Sequence, residues 1–402
     1  MKKGWEKKPL GELSEFQRGL TYAKSDEVES SKNVVLRANN IDLATNRLDF
    51  TELKYIRENV QVPAAKIVRP ESLLICTASG SKSHLGKVAF IDDDYGYAFG
   101  GFMGQLKTGQ TLVPKFLFHL MTSEAYKEFI TALSDGANIN NLKFDDLGKF
   151  SVPVPPLAEQ RRIVALLDEA FVGIAAAKDR AERNLKHARE LFESYLNDVF
   201  SRRGEGWEEM RLGDVLATGA GGTPLKSKKE YYEGGDIPWL MSGEVNQREI
   251  LTATKFITRK GYENSSARMF PKNTVLIAMY GATAGAVGIL RIESTTNQAV
   301  CGIFPNDNFV PEFLFYVLLA KKQELIDQAT GNAQPNISQI KVKNTKVPII
   351  PIAEQINIVA TVSELSFDIQ RLESIYHQKL AALDELKKSI LHKAFSGELS
   401  EA

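Results

Sequence analysis

Residues 156–200 read PLAEQRRIVALLDEAFVGIAAAKDRAERNLKHARELFESYLNDVF, and residues 351–395 read PIAEQINIVATVSELSFDIQRLESIYHQKLAALDELKKSILHKAF. Both open Pro-x-Ala-Glu-Gln and both close on Phe followed by Ser, at a constant offset of 195 residues. The apolar positions repeat as well. Ile163, Leu167, Ile174, Ala181, Leu185 and Ala188 fall on Ile358, Val362, Ile369, Tyr376, Leu380 and Leu383; only the pair Phe192 and Lys387 interrupts the ladder. Steps of four and three alternate, which is the seam of a coiled coil. One step in each copy breaks that rhythm, Ala181 to Leu185 and Tyr376 to Leu380, and such an insertion locally unwinds a supercoil. Each segment predicts a helix roughly 65 Å long. Neither is apolar all round, so each needs a partner for one stripe. Packing of the two on one another, antiparallel, satisfies both stripes. Separate packing of each on its own globular domain is the alternative.

The repeat extends outward from the helices. Trp5-Glu6 with Leu10-Gly11-Glu12-Leu13 recurs as Trp207-Glu208 with Leu212-Gly213-Asp214-Val215. PESLLI at 70–75 recurs as PKNTVLI at 271–277, Pro114–Phe118 as Pro311–Phe315, Asn138-Ile139-Asn140 as Asn336-Ile337-Ser338, and Val152-Pro153 as Val347-Pro348. The chain is therefore two copies of one plan. Residues 1–155 and 205–350 are globular domains, and 156–204 and 351–402 are the long helices. In the first domain, residues 34–37, 67–68, 72–77, 87–91 and 97–99 read as short strands between turns. A helix follows over 115–133, with Pro114 at its first turn, and its counterpart runs from Pro311 to about Ala329. The expected fold class is α+β: two repeated mixed α/β domains and two long helices forming an antiparallel coiled coil, with pseudo-twofold symmetry. The stretch Ser201–Gly206 links the repeats.

With 402 residues, 43% of them apolar and 25% charged, the chain has the composition of a soluble globular protein. Two cysteines, Cys76 and Cys301, are too few for a disulfide scaffold, and a reducing cytoplasm is the expected setting. No apolar run reaches the length of a membrane span, and the N-terminus lacks a signal-peptide core. Fifty basic and fifty acidic residues balance. That balance argues against a protein gripping nucleic acid alone through phosphates. It argues less against a subunit whose partners supply positive surface.

A catalytic constellation is not legible. The five histidines show no metal-ligand spacing, and no Walker loop is present. Gly100–Gly104 reads as a strand-edge turn, and Asp92–Asp94 as a solvated turn. More informative are two small, hydroxyl-bearing, Gly-rich loops at equivalent places. The first contains Ser79, Ser81, Lys82 and His84, the second Tyr280 and Thr283. Such loops let a backbone approach a ligand closely and offer N–H and O–H donors; tight structural hairpins read the same. A further stretch, Gly221-Gly222-Thr223-Pro224, leads into Lys226, Lys228 and Lys229, followed by Tyr231-Tyr232. Lysines beside aromatics suit phosphate contact and base stacking, or else form a solvated loop.

At this point the residues resemble a known family, the specificity subunits of type I restriction–modification systems. The carriers are the two Pro-x-Ala-Glu-Gln helix openings, the Trp-Glu…Leu-Gly-Glu/Asp domain starts, GGTP at 221–224, GGDIPWL at 234–240, the Gly281–Gly288 loop and TTNQA at 295–299. The first domain departs from the pattern: it has no GGTP, and Ala98-Phe99-Gly100-Gly101 falls where TTNQA would stand. The resemblance implies a non-catalytic DNA reader. Each globular domain would be a target recognition domain on one half of a split site in double-stranded DNA. The helices would set the spacer and dock two modification subunits. Those subunits, not this chain, would bind S-adenosylmethionine and methylate adenine, and a restriction subunit could join. Two other readings use the same residues: an adaptor with two ligand-binding domains on a stalk, and an enzyme whose site is dispersed in sequence.

Overall fold

The computed structural model describes residues 4–135, 141–201, 207–328 and 336–400. The chain forms two compact units, residues 1–182 with 377–402, and residues 183–376. The Ser201–Gly206 link, apart from Ser201, and Asn138–Asn140 lie outside the described residues.

In the first unit, Ser72–Cys76 is the central strand of an antiparallel sheet. Met103–Thr108 pairs on one side with Ser14–Arg18 beyond it, and Val88–Ile91 pairs on the other. All five residues of Ser72–Cys76 are buried, as an unbroken apolar run predicts for a strand covered on both faces. Alternation then divides the side chains. Leu73 and Ile75 enter a core with Phe116, Leu117 and Leu120; Leu74 and Cys76 enter a second core with Leu36, Phe99 and Met103. A second sheet orders Glu27–Val28, Lys54–Ile56, Asn33–Leu36 and Ala98–Phe99, the last pair parallel. Glu6–Pro9 pairs with Ser151–Val154 and so brings the start of the domain back to its end.

The second unit repeats this plan. Val275–Ala278 lies between Val300–Ile303 and Val287–Leu290, with Thr218–Ala220 at one edge and Glu249–Ile250 at the other. Val275 and Ile277 face one core, Leu276 and Ala278 another. Ile237–Leu240 runs parallel to Ser294–Thr296 in the smaller sheet, and Glu208–Arg211 closes on Lys346–Ile349.

The expected helix over 115–133 is two helices, Pro114–Leu120 and Glu124–Asp135. Thr122 and Ser123 donate their hydroxyls to the carbonyls of His119 and Leu120. These side-chain bonds compete with the helical ladder and end the first helix. Its counterpart is likewise divided, into Pro311–Ala320 and Lys322–Asp327; Ala329 lies outside the described residues.

Both long helices are 45 residues, Leu157–Ser201 and Ile352–Ser396. Each unit contains part of both. In the first unit, Arg162 donates to the Leu399 carbonyl, Lys178 pairs with Asp384, and the Lys387 amine sits 5.3 Å from the Phe171 ring centre. In the second, Asn184 donates to the Tyr376 hydroxyl at 3.1 Å and Arg189 to Glu373 at 2.6 Å. Partner numbers fall as helix numbers rise, so the segments run antiparallel within each unit. They also pack on the globular domains: Ile163, Leu167, Leu391 and Ala394 join the first unit's core, and Leu196 and Val362 join the second's. The two packing schemes left open by the sequence therefore coexist. The unit boundaries, after Glu182 and after Tyr376, fall inside the two irregular steps of the apolar ladder.

The glutamine of each Pro-x-Ala-Glu-Gln opening is fully buried. Gln160 accepts from the Val113 amide at 2.7 Å and donates to the Thr111 and Pro155 carbonyls. Gln355 does the same with Val310, Asn308 and Ile350. Each side chain satisfies two backbone groups of the loop before the domain's helix and one just ahead of the long helix, and so fastens the long helix to its domain.

Candidate nucleic-acid interface

One corner of each unit gathers three segments of backbone. In the second unit these are Gly221–Pro224, residues 279–286 and residues 295–299. The Gly221 amide donates to the Val300 carbonyl at 3.0 Å, Gly222 to Thr296 at 2.8 Å, and Met279 to Ala299 at 2.7 Å. Thr223 donates its hydroxyl to Gln298, and the Trp239 indole donates to the Gly222 carbonyl at 3.0 Å. A Cβ on Gly221 would fall 2.1 Å from the Thr296 hydroxyl, so the close approach requires glycine. GGTP, GGDIPWL and TTNQA are thus parts of one packed corner.

The first unit builds the same corner from different residues. Gly19 donates to the Met103 carbonyl at 3.0 Å and Leu20 to Phe99 at 2.7 Å, and a Cβ on Gly19 would fall 2.0 Å from the Gly100 oxygen. Gly19-Leu20-Thr21 stands where Gly221-Gly222-Thr223 stands, and residues 98–102 occupy the place of 295–299. The absence of a GGTP string hid this equivalence.

The two Gly-rich loops end alike. Gly86 and Gly285, at φ +78° and +80°, each send an amide back 2.8 Å to the preceding strand, to Cys76 and Ala278. Within the first loop, the Ser81 amide donates to the Ser79 hydroxyl at 3.2 Å, and Ser81 and Ser83 share a 2.8 Å hydroxyl contact. Ser81 is exposed; Ser79 and His84 are half-buried. Lys82 lies in the short Lys82–His84 turn, and its side chain is outside the described residues. Lys87 is buried and donates to the Ile41 carbonyl at 2.7 Å. Burial lowers its pKa, partly offset by the neighbouring Cys76 and Asp42, and it anchors the loop rather than facing solvent. In the second loop Tyr280 is exposed and Thr283 half-buried.

Lys226, Lys228 and Lys229 are all exposed on a separate loop following Pro224. The Lys228 amine lies 5.2 Å from the Tyr231 ring centre and donates to its hydroxyl at 3.2 Å. The aromatics of this stretch do not suit base stacking as the sequence suggests. Tyr231 is buried, and Tyr232 donates to the Pro224 carbonyl while packing edge-on against Trp239. They hold the loop, while the three lysines face solvent.

Among the described residues no cluster of His, Cys, Asp or Glu is arranged to hold a metal ion, and no helix is long and apolar enough to cross a membrane. The two corners offer backbone amides and hydroxyls, and the loop after Pro224 in the second unit adds exposed lysines; these are donors of the kind that contact nucleic-acid backbones and base edges.

Comparison with known proteins agrees. The Type I restriction modification DNA specificity domain matches twice, over residues 2–182 and 204–378. Similar relatives include the StySPI specificity subunit of Salmonella potsdam, 26% identical over 99% of this chain and 89% of that one. The EcoKI specificity subunit of Escherichia coli (strain K12) is 28% identical with the same coverage. The fold resembles that of a chain from a solved type I restriction–modification system (TM-score 0.80, 22% identity, 98% of both chains). It also resembles the HsdS subunit from Thermoanaerobacter tengcongensis (TM-score 0.60, 21% identity, 98% of this chain and 97% of that one). Two copies of the domain in one chain fit recognition of a site in two parts. The chain belongs to the type I restriction–modification DNA specificity family, as a non-catalytic subunit that recognises DNA.

Proposed function

We propose that the corner of each unit reads one half of a bipartite site in double-stranded DNA, that the long helices set the spacer, and that they dock two modification subunits. Those subunits bind S-adenosylmethionine and methylate adenine after drawing the base out of the duplex; this chain binds no cofactor of its own. A restriction subunit joins the assembly where the host supplies one, and the assembly works in the cytoplasm. The observation that carries the reading is the repeated corner: one backbone arrangement, built twice, with different side chains at equivalent places. Such a pair suits two half-sites of different sequence. Ser79, Ser81, Lys82 and His84 contact the first half-site, and Tyr280 and Thr283 the second. Lys226, Lys228 and Lys229 take phosphates, which fixes position without reading sequence.

The test is co-expression with the host's modification subunit, followed by sequencing of methylated adenines. A split motif with a fixed spacer, absent without this chain, is the expected result. A contiguous motif, or methylation unchanged when this chain is omitted, would overturn the reading.

A further inference from the structure

The two corners share one strand register but exchange the residues at one pair of positions. Cys76 faces Met103 as Ala278 faces Val300. One residue further on, the Thr77 amide donates to the Phe102 carbonyl at 2.9 Å as the Met279 amide donates to Ala299. One residue beyond that, Ala78 bridges to Asn141 as Tyr280 bridges to Asn336. Positions 78 and 102 of the first unit are therefore positions 280 and 299 of the second. The first carries Ala78 and Phe102, the second Tyr280 and Ala299. Each corner displays one exposed aromatic ring, from opposite members of the same pair.

Phe102 is 73% exposed, the most of any large apolar side chain among the described residues, and Tyr280 is 37% exposed. The backbone beneath Phe102 is fixed. Its carbonyl accepts from the Thr77 amide and hydroxyl, both at 2.9 Å, and from the Ala78 amide at 3.1 Å. Gly100 donates to Leu36 at 2.9 Å, and Met103 donates back to Gly100 at 2.8 Å. A bare ring on a clamped turn gains nothing for the fold, yet it loses little freedom on binding. Beside a loop of hydroxyls and amides, its chemistry suits the face of a base.

We propose that Phe102 is the base-contacting wedge of the first unit, packing its ring against a base of the first half-site at a step it partly opens. This rests on the reading of that unit as a half-site reader. Tyr280 is its counterpart in the second unit, with a hydroxyl added at the tip. The flat apolar ring of Phe102 takes base faces without hydrogen-bond selection, and the neighbouring loop supplies the selection.

The experiment uses the full chain assembled with its modification subunits. Duplexes carry 2-aminopurine, one at a time, at adenine positions of the first half-site other than the methylated one. Wild type should raise the fluorescence at one position, as a base there loses its stacking partner. Phe102→Ala should abolish that rise and slow methylation on the order of tenfold, the effect of losing one base–aromatic contact. Phe102→Tyr should retain both, and Ala78→Tyr added to Phe102→Ala should restore part of each. Response to changes in the second half-site should not move. If wild type discriminates first half-sites and Phe102→Ala behaves identically, the Phe102 assignment fails alone. Loss of assembly with the modification subunits in Phe102→Ala would also overturn it, by making the ring a protein contact. If wild type is indifferent to the first half-site, the half-site reading fails with it.

Discussion

The two units fasten their helices with one identical clamp and one that differs. Gln160 and Gln355 make the same three hydrogen bonds in the same places. A little further along each long helix, the chemistry changes at equivalent positions. In the first unit Asp168 pairs with His119 at 2.9 Å and with Lys115 at 2.6 Å. In the second, Ser363 meets Tyr316 at 3.1 Å and accepts from Arg248 at 2.8 Å, with the Arg248 guanidinium 5.3 Å from the Tyr316 ring centre. A clamp that satisfies backbone groups has one good solution at that spacing, an amide carrying both donor and acceptor. A lateral contact between side chains has many. What repeats by identity is the scaffold's backbone accounting; what repeats only by position is free to diverge.

The largest expected effect breaks the identical clamp. Gln160→Leu takes the partner from the half-buried Val113 amide and from two carbonyls, at a cost of about 2–3 kcal/mol. Gln355→Leu should cost as much. Hydrogen exchange on the full chain should show faster exchange at Val113 in the first variant and at Val310 in the second, each without a change in the other unit. If either variant loosened both sites equally, the two clamps would not be the local devices described.

The next effect sharpens the difference. Burial opposes ionisation of Asp168, but the hydrogen bonds from His119 and Lys115 outweigh it and hold its carboxyl below the usual range. A carboxylate lowered in the folded state adds stability that is present above its unfolded value, near pH 4, and is lost as pH falls through the folded value. The Tyr316–Ser363 contact has no carboxylate to protonate. Between pH 5 and pH 3 the Pro114–Leu120 helix should therefore lose the exchange protection that depends on Asp168, a loss the Tyr316–Ser363 contact does not add to; the carboxylate of the Pro311–Ala320 helix, Glu312, pairs with Arg291 instead. Asp168 keeps 35% of its side-chain surface in water, so screening holds the effect to about 1 kcal/mol. In Asp168→Asn the extra acid sensitivity should disappear; its persistence would place the cause elsewhere.

The helices and the duplication were legible in the sequence because they are written in spacing: a repeated ladder at fixed offset, with Pro-x-Ala-Glu-Gln at each opening. The central strands were legible as unbroken apolar runs. Strands such as Ser14–Arg18, with exposed Glu15 and Arg18, were not, because their burial comes from register with Met103–Thr108 rather than from composition. The helix break at Thr122-Ser123 turned on two hydroxyls whose targets are backbone carbonyls, a competition that polarity alone does not reveal. At the candidate interface the Gly-rich stretches are legible as loops, but the packing of the aromatics beside the lysines is not. Tyr231 and Tyr232 stand beside lysines in sequence yet serve the fold, while Phe102, at the place of the last residue of TTNQA, carries the bare ring of the first unit. The signal for Phe102 lies in ladder register, which becomes readable only when both units are laid side by side.

The smallest effect concerns the residue that opens each central strand. Glu71 and Asn273 both hold left-handed backbone, φ 55° and 70°, and both send an amide across to the end of the neighbouring strand, to Ile91 at 2.9 Å and Leu290 at 2.6 Å. The turn demands this conformation in both units, because the amide must point back at the hairpin partner. Asparagine tolerates it; glutamate has no local side-chain bond to offset the steric cost, which is about 1 kcal/mol or somewhat more. Glu71→Asn should therefore stabilise the first unit by up to about 1 kcal/mol, a rise of roughly 2–4 °C in the melting temperature of its transition. Asn273 also accepts from Arg291 at 2.7 Å, so Asn273→Glu forfeits both the backbone tolerance and that bond, and should lower the second unit's transition by a larger amount. Equal and opposite shifts would mean that backbone preference alone separates the two positions. No shift for Glu71→Asn would mean that the surface glutamate already finds its compensation in solvent, and the two strand openings would then be equivalent in energy as well as in geometry.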